Sequence, residues 1–232
     1  MPNPDSLEQR LQQVVARVRA AEARFGREPG SVLLLPVSKT HPAEAVARVA
    51  AAGYHAFGES YLQEALAKIE ALAGLNLQWH FIGPIQSNKT QAIARQFQWV
   101  HSVDRDKIAQ RLHEQRPADL PPLNICLQVN VSGEATKSGV MPVELPALAA
   151  RCAEYPHLRL RGLMTIPRPS DDFETQRAAF RQLRLAYEGL NAAGFHLDTL
   201  SMGMSHDLEA AIAEGATIVR VGTDIFGARG TP

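Results

Sequence analysis

Lys39 and Arg220 are the residues of this sequence whose positions most invite chemistry. Lys39 ends the run Val32-Leu-Leu-Leu-Pro-Val-Ser-Lys39. Side chains alternate faces along a strand, so Leu33, Leu35, Val37 and Lys39 share one face. If that face is the interior of a barrel, the lysine lies beside low-dielectric walls. Such walls favour the neutral amine that forms a Schiff base with a carbonyl. The plainer alternative is a lysine that snorkels to solvent at a strand end. Arg220 lies in Thr217-Ile-Val-Arg-Val-Gly-Thr223, with Ile218, Arg220 and Gly222 on one face and Val219 and Val221 on the other. If the valines meet surrounding helices, Arg220 turns inward, where a charge needs an anionic or acceptor partner. Glu59 and Asp224 are the candidate carboxylates for a buried ion pair.

Two loops could hold a phosphate. Ser201-Met-Gly-Met-Ser205 runs into Asp207-Leu-Glu-Ala-Ala-Ile-Ala, and Gly222-Thr223 follows the last strand-like run. Glycines such as Gly203 and Gly222 let backbone N–H groups approach an anion, and Ser201 and Thr223 add hydroxyl donors. Taken alone, Ser-x-Gly-x-Ser before a helix is also a routine capping sequence. Further segments would supply pocket walls: Phe57-Gly-Glu-Ser-Tyr61, Trp79-His-Phe-Ile-Gly83 and Gly162-Leu-Met-Thr165. Met164 could pack on a flat ring. His80 could donate or accept near the pocket, although a lone strand histidine is more often structural.

The elements that must position these residues alternate. Ser6 is a plausible cap for a first helix, with Leu7, Leu11, Val14, Val15, Val18, Ala21 and Phe25 at helical spacing up to Gly26. Eight strand-like runs follow, at 32–38, 55–58, 77–82, 99–103, 124–131, 158–164, 199–202 and 217–221. Between them lie helical patterns at 42–52, 61–73, 89–97, 105–115, 143–154, 173–192 and 207–214. Strict alternation predicts parallel strands with helical crossovers, and eight strands can close. The expected fold is α/β, a single (β/α)8 TIM-type barrel with an extra N-terminal helix. Residues 1–30 would form the helix packing on the barrel and 31–232 the barrel, one domain overall. In a closed barrel the last strand pairs with the first, which brings Arg220 to Lys39.

Composition narrows the function. Lys+Arg and Asp+Glu balance at 24 each, so no global field draws nucleic acid or an anionic membrane. No apolar run approaches a membrane span, and the N-terminus lacks the basic and apolar regions of a signal peptide. Cys126 and Cys152 sit in buried-looking runs with no metal-ligand spacing. A cytoplasmic, metal-free protein is expected.

The motifs closely resemble the pyridoxal phosphate homeostasis proteins, related in fold to the barrel domain of alanine racemases and ornithine decarboxylases of the eukaryotic type. The resemblance covers nearly the whole chain. It rests on Val37-Ser-Lys-Thr40, Phe57-Gly-Glu-Ser60, Trp79-His-Phe-Ile-Gly-Pro-Ile-Gln-Ser-Asn-Lys89, Gly162-Leu-Met164, Leu200-Ser-Met-Gly-Met-Ser205, and Val219-Arg-Val-Gly-Thr223 with Ile225-Phe-Gly-Ala-Arg229. It implies a cofactor, pyridoxal 5′-phosphate (PLP), held as a Schiff base on Lys39. Ser201, Gly222 and Thr223 would contact the phosphate, and Arg220 would reach the phosphate or the pyridine nitrogen. Ser60 stands where the family usually has an asparagine against the ring, so its contact is expected to be weaker. His206 also departs from the pattern. Lys137 matches a family lysine near the pocket rim, a candidate for cofactor transfer.

Two functions from different classes then compete. One is a PLP-dependent amino-acid racemase or decarboxylase; the other is a PLP-binding protein that buffers and delivers the cofactor. Racemisation needs a second acid/base opposite the lysine. In barrel-type racemases that group is a tyrosine of a separate C-terminal domain, and the chain stops at Pro232. Tyr54, Tyr61, Tyr155 and Tyr187 fall on predicted helices or helix ends. The carrier is therefore expected, without strong catalysis of its own. It would be a monomer that makes transient contact with apo-enzymes. An aldolase-like use of Lys39 on a sugar phosphate is a third reading.

Overall fold

The computed structural model describes residues 6–134 and 137–227. The expectations that touch Met1–Asp5, Ala135, Thr136, Ala228 and Arg229 lie outside the described residues. The first helix, α1 (Leu7–Arg24), starts where a capping box closes it: Ser6 Oγ accepts from Gln9 N, and the Gln9 side chain reaches back to Ser6 N. Leu7, Leu11, Val14, Val18 and Ala21 form its buried stripe.

Eight strands follow in alternation with helices: β1 (Leu33–Pro36), α2 (Ala43–Ala51), β2 (Ala56–Glu59), α3 (Leu62–Ala71), β3 (Gln78–Phe81), α4 (Thr90–Gln96), β4 (Trp99–Val103), α5 (Asp106–Gln115), β5 (Leu123–Gln128), α6 (Leu145–Ala153), β6 (Leu158–Met164), α7 (Phe173–Ala192), β7 (Thr199–Ser201), α8 (Leu208–Ala213), β8 (Ile218–Val221) and α9 (Thr223–Phe226). All ladders are parallel, in the order β1-β8-β7-β6-β5-β4-β3-β2. The gap between β1 and β2 is closed by the Val37–Gly58 bridge and the bond from Ser38 N to Gly58 O. The chain is thus an α/β barrel of the TIM type, as alternation predicts. The short helix α9 carries too little periodicity to have been read from sequence.

Strand parity sorts the buried residues into two sets. Leu34, Phe57, Trp79, Phe81, Val100, Ile125, Leu127, Leu163, Leu200, Val219 and Val221 join the large core cluster with the helices. The opposite faces point into the barrel lumen, where Leu35 and Val37 close on Gly58 and Trp99 packs with Cys126 and Met164. Burial pushes both thiols, Cys126 and Cys152, up to about 12, which suits inert packing groups. Helix α1 lies against α8 and α9. There Arg10 donates to the carbonyls of Ile225 and Phe226, and Arg17 bridges Glu209, Asp224 and the carbonyl of Ser205.

Candidate functional site

Lys39 follows β1 at the end of the strand where the βα loops gather. The residue before it is held firmly: Ser38 Oγ donates to Glu59 Oε1 at 2.6 Å, and Lys68 Nζ donates both to Ser38 O and to Glu59 Oε1, each at 2.6 Å. This is a buried ion pair between β2 and α3, and burial pushes the Glu59 carboxyl up while Lys68 and Ser38 oppose the shift. The residue after Lys39 is in the left-handed region, Thr40 with φ 66°, and its N–H donates to Glu64 Oε2 at 2.9 Å. Both neighbours of the lysine are therefore pinned by carboxylates of the β2–α3 unit.

Arg220 enters from β8, paired in register with Leu35 of β1. It is buried and points into the lumen, as the valine parity requires. Its Nη1 donates to Ser201 Oγ at 2.8 Å and its Nη2 to Thr165 O at 2.9 Å. Neither carboxylate foreseen from sequence reaches it: Glu59 pairs with Lys68, and Asp224 pairs with Arg17 at 2.6 Å. Among the described residues no carboxylate forms an ion pair with Arg220. Burial lowers its pKa to about 10, with Asp207 opposing the shift, so it stays cationic at neutral pH.

Lys39 and Arg220 line one cavity of about 240 Å³ at the barrel mouth. That is just below the span typical of small-molecule sites, roughly 300–1,000 Å³. Of the other residues singled out from sequence, Ser60, Gly222 and Thr223 line it too. Ser201, Gly203, His80 and Met164 do not. Ser201 is buried beneath Arg220, with its oxygen shared between that guanidinium and His101. Gly203 has φ 94°, and a Cβ there would sit 2.6 Å from that of Ala211; its carbonyl accepts from Arg220 N. The glycine thus shapes the loop from behind. His80 is deep in the lumen, stacked on Trp99, and Met164 packs on Trp99 and Cys126.

Several lining residues were not singled out from sequence. Met204 and Ser205 come from the same loop as Ser201, one turn further on, so the loop was legible and the residue was not. Ile82 and Ile166 form apolar walls and Thr40 and His41 complete the β1 side, while His206, noted from sequence only as a departure, lines the cavity as well. His41 stacks on Phe226 with ring centroids 5.1 Å apart. Lys137 lines a smaller adjoining space with Ile82, Pro84 and Ile166, and pairs with Glu134 at 3.2 Å. No cluster of three or more His, Cys, Asp or Glu among the described residues could hold a metal. No helix among them is long and apolar enough to cross a membrane.

A lysine and an arginine bonded to no carboxylate, facing one small cavity, fit an anionic carbonyl compound, and comparison with known proteins sharpens this. Residues 9–230 match the alanine racemase N-terminal domain family. The pyridoxal phosphate homeostasis protein of Pseudomonas aeruginosa is 62% identical over 224 residues, covering 97% of this chain and 96% of that one. The protein of the same name from Escherichia coli is 52% identical over 222 residues, covering 94% and 95%. Among solved structures, PipY of Synechococcus elongatus with PLP bound aligns with a TM-score of 0.80 at 38% identity, over 92% of this chain and 100% of that one. The alanine racemase of Corynebacterium glutamicum aligns at 0.68 with 18% identity, over 95% of this chain and 62% of that one, a likeness of fold alone. The chain belongs to the pyridoxal phosphate homeostasis protein family, built on the alanine racemase N-terminal domain fold.

Proposed function

We propose that this chain binds pyridoxal 5′-phosphate as a Schiff base on Lys39 and serves intracellular PLP homeostasis, buffering and delivering the cofactor without strong catalysis of its own. The observation that carries the reading is the pairing of Lys39 with Arg220 on one cavity, where Arg220 has no described carboxylate partner. A buried cation that no carboxylate bonds directly is costly even with Asp207 nearby, and an anionic ligand in the cavity offsets that cost.

The residues present fit this cofactor. Lys39 supplies the amine. Arg220 has five N–H donors and spends two on Ser201 and Thr165, so donors remain for the ring nitrogen or the phosphate. Gly222, Thr223 and Ser205 offer backbone and hydroxyl donors to the phosphate, and Ser60, after β2, lines the same cavity. Ile82 and Ile166 give the cavity apolar surface against which a flat ring would pack. When bound, the cofactor supplies an aldehyde carbon for reversible attachment and a ring that can withdraw electrons.

The choice of carrier over racemase or decarboxylase rests on two features. None of Tyr54, Tyr61, Tyr155 and Tyr187 lines the cavity; Tyr155 donates to Asp106 and Tyr187 to the carbonyl of Leu197. An arginine facing the ring nitrogen would also keep it unprotonated and weaken the electron sink. A monomer that meets apo-enzymes transiently at the barrel mouth completes the proposal.

Incubation with PLP is expected to colour the protein, and borohydride should fix the cofactor's mass on Lys39. Lys39→Ala should lose both signals. Protein that stays colourless at saturating PLP would overturn the proposal. Turnover of an amino acid by the loaded protein at rates of ordinary enzymes, on the order of 10 per second, would favour the enzyme instead.

A further inference from the structure

A polar chain runs through the lumen below Arg220, which is unusual for a barrel of this kind. Such interiors are filled mainly by layers of branched apolar side chains. Here Gln78, His80, His101, Ser201 and Arg220 form one continuous chain of hydrogen bonds. Arg220 Nη1 meets Ser201 Oγ at 2.8 Å, Ser201 Oγ meets His101 Nδ1 at 2.7 Å, His101 Nε2 meets His80 Nδ1 at 2.9 Å, and His80 Nε2 meets Gln78 Oε1 at 3.1 Å. The three central members are fully buried. Gln78 opens β3, so the chain runs from the mouth cavity towards the opposite end of the barrel.

With both rings neutral, the Gln78 end fixes the direction of every proton. Arginine only donates, and an amide oxygen only accepts. Read back from Gln78 through neutral rings, His101 Nδ1 is left as an acceptor, so Ser201 accepts from Arg220 and donates to His101 Nδ1. His101 Nε2–H donates to His80 Nδ1, and His80 Nε2–H donates to Gln78. Every member is satisfied in this arrangement, with both imidazoles neutral and protonated on Nε2. The His80 ring is held for the task by Trp99, stacked at 5.3 Å and 5° between planes, and Trp99 in turn lies under the Arg161 guanidinium at 4.8 Å.

We propose that His101, backed by His80 and Gln78, is a positioning residue for Arg220: it commits the Ser201 hydroxyl proton away from the guanidinium, so that Arg220 is held with its remaining donors facing the cavity. This rests on the PLP-binding reading for what Arg220 then meets, but the proton order belongs to the protein alone. It gives the buried histidine seen in sequence a role behind the site and adds His101, which sequence did not single out.

Two measurements test it. In the ligand-free protein, nitrogen-15 NMR of the histidine side chains should show both buried rings as Nε2–H tautomers at neutral pH. A proton on Nδ1 of either ring overturns the proposed order. Next, His101→Phe keeps the ring volume but removes the acceptor and the donor. Its PLP affinity should fall by about tenfold, in line with losing one ordinary hydrogen bond from the chain that holds Arg220. The absorption maximum of bound cofactor should shift, while borohydride still fixes PLP on Lys39. His101→Gln, which restores one acceptor and one donor, should recover most of the affinity and the wild-type maximum. If His101→Phe does not fold, His80→Phe breaks the chain one bond further from Arg220 and should give the same changes in weaker form. Unchanged affinity and spectrum in a folded variant overturn the positioning role. Wild-type protein that takes up no PLP overturns the functional reading and the cofactor half of this proposal, leaving the NMR result to decide the proton order.

Discussion

Thr40 holds a backbone conformation that its side chain resists. A β-branched residue at φ 66° is strained by roughly 1–2 kcal/mol, and such strain tends to collect at functional sites. Here it lies beside Lys39, and the bond from its N–H to Glu64 helps to hold the turn. Asparagine tolerates the left-handed region without glycine's entropy loss. Thr40→Asn is therefore expected to stabilise the fold by about 0.5–1 kcal/mol, read as a raised denaturant midpoint at constant slope. A lowered midpoint would mean that the threonine side chain contributes contacts larger than the strain.

At the scale of elements, the β2–α3 unit backs the lysine. Glu59 at the end of β2 and Lys68 on α3 are both buried and bonded to each other and to Ser38. Replacing such a pair together can be nearly neutral, whereas breaking it leaves a buried charge. Lys68→Met is expected to cost about 3–5 kcal/mol in unfolding free energy, and adding Glu59→Gln should recover most of that loss. Equal stabilities for the single and double variants would show that water already compensates Glu59. A second support comes from α1, whose Arg17 ties the Ser205 carbonyl to α8 and α9. The N-terminal helix thus braces the loop that lines the cavity.

The whole molecule carries an acid sensitivity built into its lumen. Burial lowers the pKa of His80 from 6.5 to about 3, and burial, with His80 and Arg220 nearby, lowers that of His101 well below 6.5. Each folded-state value lies under the unfolded one, so the unfolded chain binds more protons as the pH drops. The stabilising contribution is complete above pH 6.5 and is lost as the pH falls toward 3. Each histidine adds a slope of up to about 1.4 kcal/mol per pH unit. Glu214, held below its usual range by Arg181 and Arg177 despite burial, adds its own loss only below pH 4.5. Urea unfolding between pH 7 and 5 should therefore show a steep decline in the wild type and a shallower one in His80→Phe. A flat wild-type profile over that interval would contradict neutral buried histidines.

Most of the architecture was legible because it depends on local periodicity. Two-residue alternation in Thr217–Val221 set which face of β8 met the helices, and 3.6-residue spacing fixed α7 to the residue. The same parity turned Leu35 and Arg220 inward, and the motif around Lys39 marked the site. What parity cannot express is depth along the barrel axis. Ser201, His80 and Met164 were expected to touch a ligand, yet they lie in the lumen below the cavity, while Met204, Ser205 and Ile166 reach its wall. Partners were equally hidden: Glu59 and Asp224 looked suited to Arg220, but the packing of α3 and α1 gave them to Lys68 and Arg17. By itself the sequence determined the alternation of strands and helices, the two faces of each strand and the lysine at a strand end, because these follow from backbone geometry repeated residue by residue. Only the tertiary structure decided which buried charge meets which partner and which group reaches the mouth, because those contacts join residues as far apart as His101 and Ser201 in a space that no local pattern encodes.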